Sequence, residues 1–567
     1  MIKSCMLAIS SVISFIEKSR EKDRLKAFNR LKTYSALVKA TIKSLQKNKK
    51  DRSNKDAARI RKINKRLRLN MGELKSYLIE LDMRLTNDVE AKNDTFKLSK
   101  IYRQFDNRPS LNTVLPRSSN PVEVPLDIEV AHQFYENLYK KVDEPASLPI
   151  IDEFFEEVSK SFKNLNFEKP SRSDLEEMVV SSANFLTSGP DGIPGKFLVR
   201  LNEGKKLLLD FIEEARNGNL ELITEELCEG TTVLLPKTTD INKLTKPEFY
   251  RPITTLNHIY KLLTSTYHRT IIGAIDNSIL APCSQKALKR GSRGCTDALL
   301  KDVAISLDNM YRLGKSSRKN LEVGWIDLKK AFDSSFRSFT HRLVDVLPLP
   351  QSAKNTLRKI TTCWNSKIRI NKDFSANYKI ERGLPQGDAL SPLLYCMLTA
   401  VVPYAINKMH PLRTNLPHIS SISIYMDDTK LYANDPKELR DKLLLTKKIC
   451  NNLGLEFNNS KSATFGDEIN PDELEAFPRL KDSESYKYLG IEQKFITDLS
   501  ITESTLINAT LEFMRKVNKL QIPTRMIARL MCNTLAPKIL YVASHTFFKG
   551  KTSQIITLGE KLAKCSL

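Results

Sequence analysis

The sequence has no apolar run near its start long enough to cross a bilayer, which takes about 20 residues. The longest uncharged apolar stretch there, Ser4 to Ile16, falls short. It follows Lys3, as a signal peptide would, but no small-x-small cleavage pattern comes after it and basic residues do. The first turns of an amphipathic helix are the better reading. Cysteine is sparse and unpaired: Cys5, Cys228, Cys283, Cys295, Cys363, Cys396, Cys450, Cys532 and Cys565 include no Cys-x-x-Cys, and there are only seven histidines. That argues against a structural zinc site. An odd, dispersed set fits a reducing compartment. Negative charge is also short, with 66 Asp/Glu against 90 Lys/Arg and a net charge of +24. Residues 1–70 hold 21 Lys/Arg against 5 Asp/Glu, which puts two-thirds of the excess in one-eighth of the chain. Such a block suggests contact with a phosphate backbone, most simply nucleic acid. A solvated helix surface and a nuclear-import signal are the plainer readings.

What is present is an ordinary globular composition: 567 residues, 41% hydrophobic, with a mean hydropathy of −0.34. Two to four domains and a large core are expected. Residues 1–106 are nearly free of Gly and Pro to residue 100 and read as a basic helical extension with a polar break at Asn48 to Asp56. Residues 107–125 hold Pro109, Pro116, Pro121 and Pro125 and read as a linker. Residues 126–215 return to helical periodicity, interrupted by the turn-rich Ser188 to Gly195. Residues 216–495 alternate strand and helix signals, an α+β character. Residues 496–567 are mostly helical, and no internal repeat is found.

The chemistry centres on Tyr425-Met426-Asp427-Asp428. Two β-prone runs flank two adjacent carboxylates, which predicts a tight hairpin with acids at its tip. Adjacent acids raise each other's pKa, and a turn that tolerates them usually holds a cation. Strand-like Leu321 to Ile326 ends in a third acid, Asp327, followed by Ala331-Phe332-Asp333. Taken alone, Asp327 is more often a helix cap; with the hairpin, it is placed to meet Asp427 across a sheet, as two-metal chemistry requires. Between them lies Arg382-Gly383-Leu384-Pro385-Gln386-Gly387-Asp388, then Ser391-Pro392. Its glycines permit close backbone approach and Gln386 offers an amide, though an ordinary helix start reads the same way. The apolar run Leu393 to Val402 predicts a buried helix. Lys237 and Arg251 sit on short extended pieces, where a basic pair grips a triphosphate. Lys461 follows a strand and is a candidate general acid or charge partner for the leaving group. Each of these basic residues alone would more often be solvated surface.

In this order the residues resemble a reverse transcriptase, and more narrowly that of non-LTR retrotransposons. The resemblance covers roughly residues 185–495. Gly189-Pro190-Asp191-Gly192, Pro236-Lys237 and Tyr250-Arg251-Pro252-Ile253 match segments of the fingers and what precedes them. Asp327 with Ala331-Phe332-Asp333, then Leu384 to Asp388 with Ser391-Pro392, match the first two palm motifs. Tyr425 to Asp428, Gly454-Leu455 through Lys461-Ser462, and Tyr486-Lys487-Tyr488-Leu489-Gly490 match the rest. Lys246 to Asn257 and the Tyr-Met-Asp-Asp hairpin resemble the lineage with a restriction-like endonuclease. The resemblance implies a right-hand polymerase: fingers, a palm with an antiparallel sheet, and a partial helical thumb, behind a basic helical N-terminal extension. It implies that Asp327, Asp427 and Asp428 are catalytic and bind two Mg2+ ions. It implies that Lys237 and Arg251 hold the triphosphate, that Phe332 excludes a 2′-hydroxyl, and that Gln386 and Gly387 lie near the nascent pair. The Tyr488 to Gly490 turn would support the primer end. The implied partners are an RNA template, a DNA primer and deoxynucleoside triphosphates, with target DNA as a further candidate and no membrane. The implied location is the nucleus, with a cytoplasmic pool.

The family lineage carries a zinc knuckle and a nuclease after the thumb, and neither signature follows Gly490 here. The expectation is a polymerase core without target cutting, leaving open a truncated copy, a fragment or a host-retained derivative. The rival readings are an RNA-binding protein without turnover, an RNA-dependent RNA polymerase, which Phe332 opposes, and a group II intron maturase.

Overall fold

The structure, a computed structural model, describes residues 126–545 except 164, 166–168, 183–188, 194–198, 200–201, 239, 277, 314–320, 413, 415–418, 467–476, 482, 494–498, 519–526 and 528. The expected basic extension 1–106 and linker 107–125 lie outside the described residues, as do 546–567.

Among the described residues, four helices lie in the segment read as helical: α1 (Ile128–Tyr139), α2 (Pro149–Phe162), α3 (Arg172–Ser182) and α4 (Asn202–Arg216). α1 begins where the Asp127 carboxylate accepts from the Glu129 and Val130 amides at 2.7 and 3.1 Å, satisfying donors that a helix start leaves open. Its Ala131, Tyr135 and Tyr139, four apart, form one buried stripe. α2 buries Ile151, Phe154, Phe155, Val158 and Phe162 on the same logic.

Strands β1 (Glu229–Pro236) and β2 (Tyr250–Leu256) pair antiparallel, with Pro236 opposite Tyr250 and Leu235 opposite Arg251. Helices α5 (His258–Ala274) and α6 (Cys295–Leu313) follow, then β3 (Glu322–Ile326), β4 (Leu328–Lys329) and the one-turn α7 (Ala331–Ser334). Next come α8 (Arg337–Val346), α9 (Gln351–Cys363), β5 (Asn365–Ile370), β6 (Asp373–Lys379), α10 (Ser391–Leu398) and α11 (Val401–Met409). The chain continues through β7 (Ile422–Tyr425), β8 (Asp428–Ala433), α12 (Pro436–Asn452), β9 (Glu456–Phe457) and β10 (Ala463–Phe465). The last elements are β11 (Tyr486–Tyr488), β12 (Ile491–Gln493), α13 (Leu499–Asn518) and α14 (Ala536–Ser544). The expected single helix from Leu393 is two: the chain breaks at Thr399–Ala400, where the Thr399 hydroxyl turns back to the Tyr395 carbonyl at 2.9 Å.

One sheet is mixed, in the order β2-β1-β5-β6, with β1 and β5 parallel. The other, β10-β3-β8-β7, is antiparallel throughout. β3 is buried along its whole length because both its faces are covered. On one face Gly324 backs onto Leu439 and Leu443 of α12, so close that a Cβ there would stand 3.3 Å from each. On the other, Val323 and Trp325 join Leu299, Ile305, Tyr432, Tyr488 and Ile491 in a second core. Helices α1 to α4 share the main core with the sheets. No described helix is long and apolar enough to cross a membrane.

Candidate active site

The hairpin forms as its sequence predicts. Register from Ile422 opposite Leu431 to Tyr425 opposite Asp428 leaves Met426 and Asp427 as a two-residue turn. Met426 takes φ +56°, left-handed backbone that a non-glycine residue adopts at some cost. The cost is offset locally. The Met426 amide donates to Gln285 Oε1 at 3.2 Å, and its sulfur lies 3.6 Å from Cys396 Sγ. Ser284 and Lys286 bond to both sides of Ile424, 2.9 Å each, covering the outer edge of β7.

Antiparallel pairing of β3 with β8 sets Ile326 opposite Thr429 and so brings Asp327, one residue on, beside the hairpin. The loop after β9 orients it. Asn458 Nδ2 donates to Asp327 Oδ2 at 2.7 Å, the Asn458 amide donates to the Asp327 carbonyl at 2.8 Å, and the Asp327 amide donates to Ser462 Oγ at 3.1 Å. The three acids feel one another. Burial raises the Asp428 carboxyl to about 6, with Asp427 and Asp327 pushing it the same way. Burial also raises Asp427; Asp327 adds to this, while Arg251 opposes it. Among the described residues, no group of three or more His, Cys, Asp or Glu side chains stands ready to enclose a metal ion. The carboxylates are near enough to repel but are not gathered into a cage.

Arg251, on β2, and Lys461, in the loop after β9, both lie within electrostatic reach of Lys237, which follows β1. All three are exposed. The protein mass around Lys237 nonetheless lowers its pKa; Lys461 and Arg251 add to that, while Asp333 and Asp327 oppose it. Lys237 thus feels both the other two cations and the acids Asp333 and Asp327. The Lys237 ammonium also donates to the Glu248 carbonyl at 3.3 Å.

Gln386 and Gly387 stand differently from the expectation. The Gln386 amide does not stand free: its Nε2 is 3.1 Å from both oxygens of Asp333. Gly387, at φ +138°, lies against β2, where an added Cβ would sit 2.1 Å from the Thr254 carbonyl oxygen. The Thr254 amide donates to the Gln386 carbonyl at 2.7 Å. The glycine therefore serves close approach of two backbones. Asp388 anchors the loop from below: it is buried and accepts from Thr264 Oγ1 at 2.7 Å and from the Tyr260 phenol at 3.3 Å. Phe332 is half-buried and stacks on Tyr395, ring centroids 4.5 Å apart at 23°, and its carbonyl accepts from the Leu384 amide at 2.6 Å.

Sequence reasoning gave no role to Asp333, Tyr395, Asn458 or Tyr486. Asp333 is buried, and that burial raises its carboxyl to about 6 despite hydrogen bonds from Tyr139 and Gln386. Tyr486 stacks on Trp325 at 5.0 Å, and its phenol is raised by burial and then by Asp327 and Asp428, so it borders the acids. Beyond it the turn Leu489-Gly490, with φ +46° and +81°, is tied down by the Tyr541 phenol donating to the Leu489 carbonyl at 2.7 Å. Beneath the hairpin, buried Lys430 pairs with Asp302 at 2.6 Å and lies over the rings of Trp325, Tyr432 and Tyr488 at 5.1 to 5.7 Å. Gln493 and Tyr432 complete the bonds to Asp302. This network joins β8, α6 and β12 in one charge-satisfied unit.

Residues 236–493 match the family described as reverse transcriptase (RNA-dependent DNA polymerase). The chain is 28% identical over 165 residues to a retrovirus-related Pol polyprotein from type-1 retrotransposable element R2 of Popillia japonica, covering 29% of this chain and 21% of that protein. It is 25% identical over 237 residues to the R2 protein of Nasonia vitripennis, 41% of this chain and 21% of that relative. It is 23% identical over 265 residues to a probable RNA-directed DNA polymerase from transposon BS of Drosophila melanogaster, 43% of this chain and 27% of that protein. The match thus spans about a fifth to a quarter of each of these relatives. Residues 236–493, which carry the three acids at the end of β3 and the tip of the β7–β8 hairpin, are similar in sequence to the reverse transcriptase family and to these retrotransposon proteins.

Proposed function

We propose that the chain is an RNA-directed DNA polymerase of a non-LTR retroelement, joining deoxynucleotides to a primer along an RNA template. The observation that supports it most is the meeting of Asp327, Asp427 and Asp428, where Asp327 adds to the cost of charge on both hairpin acids, with Lys237, Arg251 and Lys461 within electrostatic reach. The mixed sheet is then the fingers, the antiparallel sheet the palm, and α13 with α14 part of the thumb. Residues 1–106 would meet RNA or target DNA through their positive charge.

The donor set fits magnesium. It is all carboxylate, and among the described residues no cation is hydrogen-bonded to it, so a hard divalent ion relieves its repulsion. An open arrangement also fits, because magnesium usually takes one or two carboxylates and completes its shell with water and substrate phosphates. When bound, two ions would activate the primer 3′-hydroxyl and stabilise the pyrophosphate leaving group. The chain's own residues do the rest. Asn458 and Ser462 fix Asp327; the Met426 turn fixes Asp427 and Asp428. Lys237 and Arg251 neutralise the triphosphate, and Lys461 is placed to serve the leaving group. Phe332, backed by Tyr395, fills the space that a 2′-hydroxyl would need.

The test is extension of a primed RNA template by the chain with Asp427→Ala and Asp428→Ala together. Loss of incorporation with RNA binding retained is expected. Extension at the unaltered rate would remove the site assignment.

A further inference from the structure

Helix α1 lies outside residues 236–493, yet its last residue enters the site. Tyr139 is buried, and its phenol donates to Asp333 Oδ1 at 2.7 Å. Its ring stacks on Tyr378 at 5.9 Å with the planes 8° apart. Its carbonyl accepts from the Glu381 and Arg382 amides at 2.9 and 3.2 Å, the residues that open the Gln386 loop. Four residues back along the helix, the Tyr135 phenol reaches the Pro247 carbonyl at 3.4 Å, just ahead of the strand that bears Arg251. The end of α1 therefore touches three of the segments around the proposed nucleotide site: α7, the Gln386 loop and the turn ahead of β2.

Asp333 links this helix to the loop. An ionised carboxylate only accepts hydrogen bonds. With Gln386 Nε2 at 3.1 Å from both its oxygens, the amide can stand only one way: NH2 toward Asp333, carbonyl oxygen away from it. With glutamine in the opposite rotamer, two acceptors would face each other. The Tyr139 phenol occupies one lone pair of Oδ1, and Gly383 packs the main chain so close that an added Cβ would lie 2.5 Å from the Asp333 carbonyl oxygen. The carboxylate cannot turn without breaking its hydrogen bonds from Tyr139 and Gln386. No described residue donates a hydrogen bond to Gln386 Oε1, and the residue is half-buried at the side of the site.

We infer that Tyr139 and Asp333 are positioning residues for nucleotide binding, fixing the Gln386 amide so that its carbonyl oxygen is presented to a hydrogen-bond donor on the incoming nucleotide. The inference rests on the polymerase reading and adds to it a part supplied by the segment ahead of the reverse transcriptase domain.

The experiment is a double-mutant cycle on the full chain, read as kcat and KM for deoxynucleotide in primer extension on RNA. Tyr139→Phe keeps the ring stack and removes only the hydroxyl. It should raise KM about fivefold, the worth of one net hydrogen bond, with kcat nearly unchanged and the melting temperature close to that of the unaltered chain. Asp333→Asn, which lets the amide turn, should do the same. In a Gln386→Ala background both effects should vanish, because there is no amide left to orient. The same fivefold rise with or without Gln386 would overturn the inference and leave Tyr139 a packing residue. An unaltered chain that extends no primer would overturn the polymerase reading, and this inference with it.

Discussion

Replacing Gly387 by alanine tests how firmly the Gln386 loop is locked onto β2. The new methyl group would stand 2.1 Å from the Thr254 carbonyl oxygen and 3.1 Å from its carbon, on a backbone with φ +138°. The obstacle is main chain inside a paired strand, Thr254 opposite Thr232, so no side chain can swing aside. Backbone strain at such a φ costs about 1–3 kcal/mol. Displacing the loop also breaks the 2.7 Å bond from the Thr254 amide to the Gln386 carbonyl, about 1 kcal/mol. The sum is about 2–4 kcal/mol, at the upper end for a single substitution. Gly192→Ala is the internal control: its φ of +72° is also left-handed, but a Cβ there meets nothing within 4 Å, so only about 1–2 kcal/mol of backbone cost applies. Thermal unfolding and primer extension of both variants give the answer. Gly387→Ala should melt well below Gly192→Ala and extend far more slowly, since Gln386 and Arg251 lose their shared frame. If the two variants melt together and Gly387→Ala extends at the unaltered rate, the loop is not held as described.

The raised carboxyl of Asp428 gives a pH prediction. With its folded pKa at about 6, it keeps its proton over a range where the unfolded chain, at about 4, has lost it. Metal-free stability should therefore fall as pH rises from about 4 to about 6 and then level off, by on the order of 1–2 kcal/mol after solvent screening; Asp333, also about 6, adds in the same direction. Magnesium needs the charged form, so it should raise the melting temperature at pH 7.5 and do little at pH 5, and Asp428→Asn should weaken the effect; an equal shift at both pH values would contradict this. Phe332→Ala should raise ribonucleotide use relative to deoxynucleotide use about tenfold or more, measured as the ratio of kcat/KM values; an unchanged ratio would deny the ring its proposed role. Asp302→Ala leaves the buried Lys430 ammonium without its carboxylate and should cost about 3–5 kcal/mol in denaturant unfolding, a loss that Lys430→Met in the same chain should reduce.

The hairpin was legible because period-two patterning, a break of two residues and a clash of charges all fall within one short stretch. Asp327 was legible because an acid at a strand end, given an antiparallel sheet, has few places to go. Lys237 and Arg251 were read on short extended pieces, and the structure pairs those pieces with Leu235 opposite Arg251. What stayed hidden depends on side-chain partners far apart in the chain. Asp333 and Gln386 are 53 residues apart and Tyr139 and Asp333 are 194 apart, and no periodicity marks either contact. Tyr395 read as one more apolar residue in a buried run, because its stacking under Phe332 depends on how α10 packs against α7. The glycine of the loop was read as allowing close approach, and the structure shows the backbone it approaches to be β2.

The most direct measurement is single-nucleotide incorporation by the purified chain on an RNA template with a DNA primer. The account predicts magnesium-dependent addition of the templated deoxynucleotide, with little addition of the matching ribonucleotide, lost when Asp427 and Asp428 are both replaced by alanine. Tight binding of the primed RNA with no incorporation at any magnesium concentration would contradict it.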